Sequence, residues 1–158
     1  MRRCAHRADR RSGTPPGHRQ REKKEPAVPS DSLSVVHAFI HAINTHEPTR
    51  LFHLMTEDHL FVDSGGDSIR GREEMRKAWV AYFYLVPDYL IDASEMLEKD
   101  ATVAVFGIAR GTAGKQREAW QMPAAWKAVV RGGRIAEWHV YADNEPVRRI
   151  LAAQGVNI

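Results

Sequence analysis

Cysteine occurs once in the 158 residues, as Cys4. No disulfide can form within the chain, and no cysteine metal site exists in its body. Long apolar runs are also missing. None approaches the ~20 residues needed to span a bilayer, and the N-terminus lacks the apolar stretch of a secretory signal. These absences point to a soluble, cytoplasmic protein that has no membrane partner.

Excess charge is missing from most of the chain as well. Residues 1–28 hold nine Lys/Arg and three Asp/Glu, whereas residues 29–158 hold fourteen and seventeen. The formal charge of +3 therefore comes from a basic tail on a mildly acidic body. Such a body is a poor phosphate-binding surface, and nucleic acid is excluded as the main partner.

The tail, MRRCAHRADRRSGTPPGHRQREKKEPAV, has no hydrophobic periodicity. It cannot bury enough apolar surface to offset its ordering entropy and is expected to be disordered. A basic arm for nucleic acid or an acidic partner is one reading. The preferred reading is different. Arg21-Glu22-Lys23-Lys24-Glu25 can be encoded almost wholly by purines, as a bacterial ribosome-binding site is, and Val28 can serve as a start. Residues 1–27 are then translated upstream sequence.

What is present, from residue 29 to 158, is a single domain. Ser30 or Asp31 can cap a helix. Val35, Val36, Phe39, Ile40 and Ile43 then recur at helical spacing as far as Thr45. His37 and His41 lie one turn apart on a solvated face. His46, His53 and His59 share no convincing ligand spacing, so no metal is expected. Glu47-Pro48 opens a short second helix through Met55. Residues 58–63 alternate as a strand and end on Asp63. Ser64-Gly65-Gly66-Asp67 is turn chemistry, Ser68-Ile69-Arg70 a minimal strand, and Gly71 the start of a helix. That helix carries Met75, Trp79, Tyr82, Phe83 and Val86 and stops at Pro87.

Four strand-like stretches follow. They are Tyr89 to Leu97, Thr102 to Ala109, Glu118 to Val130 and Ile135 to Asp143, with Gly111 to Lys115 as a loop and Arg131-Gly132-Gly133-Arg134 as a hairpin turn. A short closing helix runs from Asn144 to Ala153. Helices followed by an antiparallel meander make an α+β fold. A curved, cone-shaped antiparallel sheet wrapped around three N-terminal helices encloses a cavity, and such cavities are common ligand sites.

The order helix, helix, TEDHLFVDSGGDSIRGREE, aromatic helix, VPDY, hairpin, GGRIAEWHVYAD resembles the nuclear-transport-factor-2-like superfamily, in its SnoaL-like branch. The resemblance covers about residues 31–155. It implies a deep conical pocket and a homodimer. It also implies, for the enzymes of the superfamily, isomerase, cyclase, dehydratase or epoxide hydrolase chemistry. In the ketosteroid isomerases the base is an Asp that ends the strand before the turn and the helix-opening Gly-Arg-Glu. That position matches Asp63. Their oxyanion tyrosine falls on Phe39 and their protonated Asp near Ala125, so neither group is present here. The Asp-Arg-Asp set of the epoxide hydrolases is not evident.

Asp63 is the first candidate for chemistry, since a carboxylate among apolar neighbours is costly to bury and easily perturbed. Its other role is to bond the amides of the glycine turn. The last strand has two possible parities. One face holds Ile135, Glu137, His139, Tyr141 and Asp143, and the other Ala136, Trp138, Val140 and Ala142. We take the polar face as inward, with His139 shuttling a proton and Tyr141 donating to an oxyanion. A bulge in either hairpin would exchange the faces. Phe39, Phe61, Trp79, Phe83, Glu118 and Trp120 complete the expected pocket. Asp143 is expected to cap the terminal helix. The function expected is a pocket protein for a hydrophobic small molecule: a cofactor-independent isomerase, cyclase or lyase acting on a carbonyl compound, or else a non-catalytic binding or dimerisation module.

Overall fold

The computed structural model describes residues 31–155. The expectations about the tail lie outside them. Four helices and six strands run in the order α1 (Ser32–Asn44), α2 (Pro48–Leu54), β1 (Met55–Val62), β2 (Ser68–Arg70), α3 (Arg72–Leu85), β3 (Leu90–Lys99), β4 (Thr102–Ala113), β5 (Glu118–Arg131), β6 (Arg134–Ala142) and α4 (Glu145–Ala153). No helix among the described residues is long and apolar enough to cross a membrane.

The cap of α1 is Asp31, whose carboxylate accepts from Ser34 N at 3.2 Å. This satisfies one of the free amides at the helix start. Val36, Phe39, Ile40 and Ile43 are buried, as their spacing requires. The far end of α1 is pinned to the sheet edge. Asn44 accepts from Ile91 N at 2.8 Å and donates to Ile91 O at 2.9 Å. Both ladder groups that Ile91 would otherwise present at an open edge are thereby paired.

The strands form one curved, unclosed sheet in the order β2-β1-β6-β5-β4-β3. It is mixed, not wholly antiparallel: β1 runs parallel to β6. The helical connections between β1 and the meander bring the first long strand back beside the last. The other four pairings are antiparallel.

Two irregularities shape the sheet. In β3 the register shifts between Ala93 and Glu95, opposite Gly107 and Phe106 of β4. Ser94 is the extra residue, and its hydroxyl donates to Phe106 O at 3.1 Å. Such a bulge bends the strand and raises its twist. In β6, Ile135 pairs with Val130 and Glu137 with Val129, so Ala136 is the extra residue. Strand β4 is longer than its sequence pattern suggests. It continues through Gly111 to Ala113, and the turn falls on Gly114, which has φ +73°. Gly111 is a close-packing residue: a Cβ there would lie 2.7 Å from Val86 Cγ1 and 3.2 Å from Trp120 Cζ2.

Candidate functional site: an aromatic cavity with one carboxylate

Strand β5 alternates strictly. Trp120, Met122, Ala124, Trp126, Ala128 and Val130 are buried on its concave side. Helix α3 faces them with Met75, Ala78, Trp79 and Tyr82. Between the two lies a cavity of about 300 Å³. Phe61 closes it from β1, Asp63 from the turn that follows, and Trp138, Val140 and Ala142 from β6.

The walls are largely aromatic rings in mutual contact. Tyr82 meets Tyr89 edge-on at 5.1 Å, and Tyr89 stacks on Trp120 at 6.1 Å. Trp79 stacks on Phe83 at 5.2 Å. Burial pushes the Tyr82 phenol well above its ordinary range. Burial, with the neighbouring Tyr82, does the same to Tyr89. Both phenols therefore stay protonated at neutral pH and cannot serve there as bases.

Asp63 is the one carboxylate on this wall. Its Oδ1 accepts from Gly65 N at 2.8 Å and Asp67 N at 2.9 Å. The turn is closed further by Asp63 N donating to Asp67 O at 2.9 Å. The local chemistry of Asp-Ser-Gly-Gly-Asp thus fixes the carboxylate plane, as an Asx turn does. Beside it Asn144 Nδ2 donates to Ser64 Oγ at 2.6 Å, joining the turn to the start of α4. Asp143 is not the cap residue itself. The cap position is Asn144, although Asp143 Oδ1 accepts from Glu145 N at 3.0 Å.

The structure brings together Phe61, Asp63, Trp79 and Trp120 of the expected site, and separates the rest. The bulge at Ala136 exchanges the faces of β6. Trp138 is turned inward, while His139 and Tyr141 lie on the convex side of the sheet. His139 bonds Glu137 Oε2 at 2.9 Å, and Tyr141 is 56 % exposed. Neither reaches the cavity, so neither can serve as its proton shuttle or oxyanion donor. Phe39 lies in the core behind the wall, 5.1 Å from Trp138. Phe83 backs Trp79 without lining the cavity. Glu118 is exposed at the far end of β5. Tyr89, Trp126, Ser64 and Asn144 line the cavity without having been singled out for it, and Trp138 enters it by the alternative parity of the last strand. For Trp126 the signal was there: it shares parity with Trp120.

His59 is fully buried on β1. Its Nδ1–H donates to Ile135 O at 2.9 Å, at the point where the β1–β6 register shifts. The side chain thus pairs a carbonyl at a break in the ladder. Burial lowers its pKa, against the opposing pull of Ile135 O, Asp58 and Glu137. The sign follows. Below its unfolded value of 6.5, the unfolded chain takes up a proton that folded His59 resists. Stability is therefore full above that pH and falls as pH drops toward the folded pKa, by at most about 1.4 kcal/mol per pH unit. Urea unfolding of His59→Asn is expected to show less loss between pH 7 and pH 5.5 than the natural protein. Among the described residues no cluster of His, Cys, Asp or Glu could hold a metal ion.

Solved structures share this architecture. One, from Shewanella denitrificans, is described as a SnoaL-like polyketide cyclase; it has a TM-score of 0.69 and 14% identity, covering 78% of this chain and 98% of that one. A second, from Catenulispora acidiphila, has a ketosteroid isomerase-like fold and is in complex with trimethylamine, with a TM-score of 0.66, 19% identity and coverage of 78% and 93%. TerC, co-crystallised with polyporic acid, has a TM-score of 0.68, 12% identity and coverage of 77% and 98%. At these identities the likeness is one of fold. A comparison with curated proteins gave no match. The SnoaL-like domain model matches residues 36–138, from the second turn of α1 to Trp138 on the cavity wall, and the chain belongs to that family.

Proposed function

We propose that this protein binds a hydrophobic carbonyl compound in the aromatic cavity and isomerises, cyclises or eliminates it by general acid–base catalysis, without a cofactor. The observation that carries this reading is a single carboxylate, Asp63, on an otherwise uncharged wall. A base needs hydrogen-bond access to the proton that it removes. Asp63 Oδ1 is held by two turn amides, and Oδ2 takes no hydrogen bond among the described residues. Oδ2 is then the atom that takes a proton from the carbon next to the carbonyl, leaving an enolate. Bound trimethylamine and polyporic acid in two structural neighbours support small-molecule binding at this fold. The test is a thermal-shift screen of hydrophobic carbonyl compounds. A ligand at a hundred times its Kd adds about 2.7 kcal/mol of stability, and no stabilisation by any compound would count against the proposal.

The second reading, a non-catalytic binding module, is favoured by one observation. The positions matching the isomerases' oxyanion groups hold Phe39 and Ala125, and the first is core while the second lies outside the cavity. On either reading we propose a homodimer through the convex face of the sheet. Phe106, Ala125 and Tyr141 are direct neighbours across three strands, and Phe106, Ile108 and Tyr141 are all exposed. A contiguous apolar patch of this kind is characteristic of an interaction surface. Light scattering at micromolar concentration is expected to give twice the chain mass, and a monomer would contradict the assignment.

A further inference from the structure

Two cavity-lining side chains belong to types that ordinarily bond the local backbone, and neither does so. Asn144 holds the N-cap position of α4, yet its side chain makes no capping bond. Ser64 lies in the glycine turn, where a serine often bonds a nearby amide. That turn is closed instead by Asp63 Oδ1 and by the backbone. Asn144 Nδ2 donates to Ser64 Oγ at 2.6 Å, across a separation of 80 residues. Neither side chain has another hydrogen bond among the described residues. Both residues are half-buried and line the cavity beside Asp63. A serine carries one O–H and an asparagine amide two N–H groups. The bond between them takes up one of these donors, whichever way the amide is turned. The others are left for a partner in the cavity.

We propose that the Ser64–Asn144 pair donates to the carbonyl oxygen of the ligand, so that this oxygen lies at the β1–β2 turn and the apolar body points toward Trp120 and Trp126. This rests on the small-molecule reading above and deepens it by naming the groups that hold the carbonyl. Position supports it. Ser64 follows Asp63 directly, and a carbonyl oxygen is joined through a single carbon to the carbon that Asp63 Oδ2 deprotonates. One turn thus presents base and donor to neighbouring parts of one molecule. As Oδ2 takes the proton, the C–H electron pair forms the enolate double bond and the carbonyl π pair moves onto oxygen. The new charge meets donors that are already in place. Return of the proton from Asp63 to carbon completes the step, and nothing else is consumed. The mutual hydrogen bond polarises the pair and strengthens it as a donor. The positions matching the isomerases' donors hold Phe39 and Ala125, so this pair supplies the function from other elements.

The test uses 1-phenyl-2-butanone, isotopically labelled at its carbonyl carbon, and butylbenzene, which has the same skeleton without the oxygen. Both suit the space: a cavity of roughly 150 Å³ holds benzene, and this one is about 300 Å³. Binding to the full chain is followed by calorimetry and NMR. Combining Ser64→Ala with Asn144→Leu is expected to move the bound carbonyl resonance upfield, toward its position in an apolar solvent. It should weaken the ketone about three- to tenfold and slow exchange of its benzylic hydrogens in heavy water about 10²-fold. Each single substitution should act in the same direction and less. Butylbenzene should bind all variants equally, which also shows that they are folded. A bond that merely tied α4 to the turn would leave the carbonyl resonance where it is. A resonance unmoved by the double substitution would therefore overturn the donor assignment and leave the cavity reading intact, as would binding of butylbenzene without the ketone. A resonance that moves, with no exchange above the rate in free solution, would uphold the donor pair and count against catalysis. Failure of both compounds to bind the natural protein would overturn the proposal together with the small-molecule reading.

Discussion

Exchange of Asp63 for asparagine is expected to lower turnover of a substrate found by the carbonyl screen by about 10²–10⁴-fold, the range for removing a general base. Its Kd should change less than threefold. The split follows from the geometry. Asparagine keeps Oδ1, the atom that accepts from Gly65 N and Asp67 N. The turn therefore survives, and with it the placing of Phe61 and Ser64. What is lost is Oδ2, replaced by an amide nitrogen that cannot take a proton. Asp63→Ala removes both roles and should also cost stability, about 1–2 kcal/mol for the lost turn bonds. Single-turnover rates and equilibrium binding, measured on both variants, separate the two. An asparagine variant as fast as the natural protein would leave Asp63 as a turn residue alone, and would favour the non-catalytic module.

Gly107→Ala is expected to be the most destabilising single-methyl change in the sheet, at about 2–4 kcal/mol. The backbone there needs no unusual φ, so the penalty is steric. A Cβ at Gly107 would sit 3.0 Å from Ala93 Cα and 3.0 Å from the Asp92 carbonyl carbon, and closer still to the Asp92 oxygen. These are backbone atoms of the adjacent strand, fixed by the ladder, and cannot rotate aside. Gly107 stands opposite the Ser94 bulge, so the strands are drawn together where β3 bends. Relief would require opening the β3–β4 pairing at that bend. Urea titration should show a lower midpoint with an unchanged slope. An unchanged midpoint would show that the bulge absorbs the methyl group.

Much of the fold is legible in local chemistry. Asp31 caps, Pro48 starts, Gly71 admits α3, and the period of each stretch names its element. Family resemblance then fixed the order of the pieces. The site was less legible, and the reason is one residue. Sequence alternation gives two parities for the last strand but does not say which is inward, because a single inserted residue reverses them. Ala136 is that residue. Its small side chain allows both it and Ile135 to be buried, and nothing in the run RIAEWHVYA marks the slip. His139 and Tyr141, chosen for their chemistry, therefore fell on the convex side, and Trp138 took the cavity. Parity worked where the strand was regular, as in β5. The wall contributed by Tyr89 and Asn144 depends on where strands end, which local pattern does not encode.

The parallel pairing of β1 with β6 sets a timetable for synthesis. The ribosome delivers α1, α2, β1 and α3 first, and their buried faces include Phe39, Met55 and Trp79. The long strand that lies beside β1 is the last one made. The hairpin of β1 and β2, a two-stranded unit, is marginal without it. Residues 32–85 must therefore wait, with their apolar faces uncovered, until residues 134–142 clear the exit tunnel. Contacts of such sequence separation fold slowly and are exposed to aggregation while they wait. A nascent chain halted at the β5–β6 turn would thus be the form most dependent on chaperones.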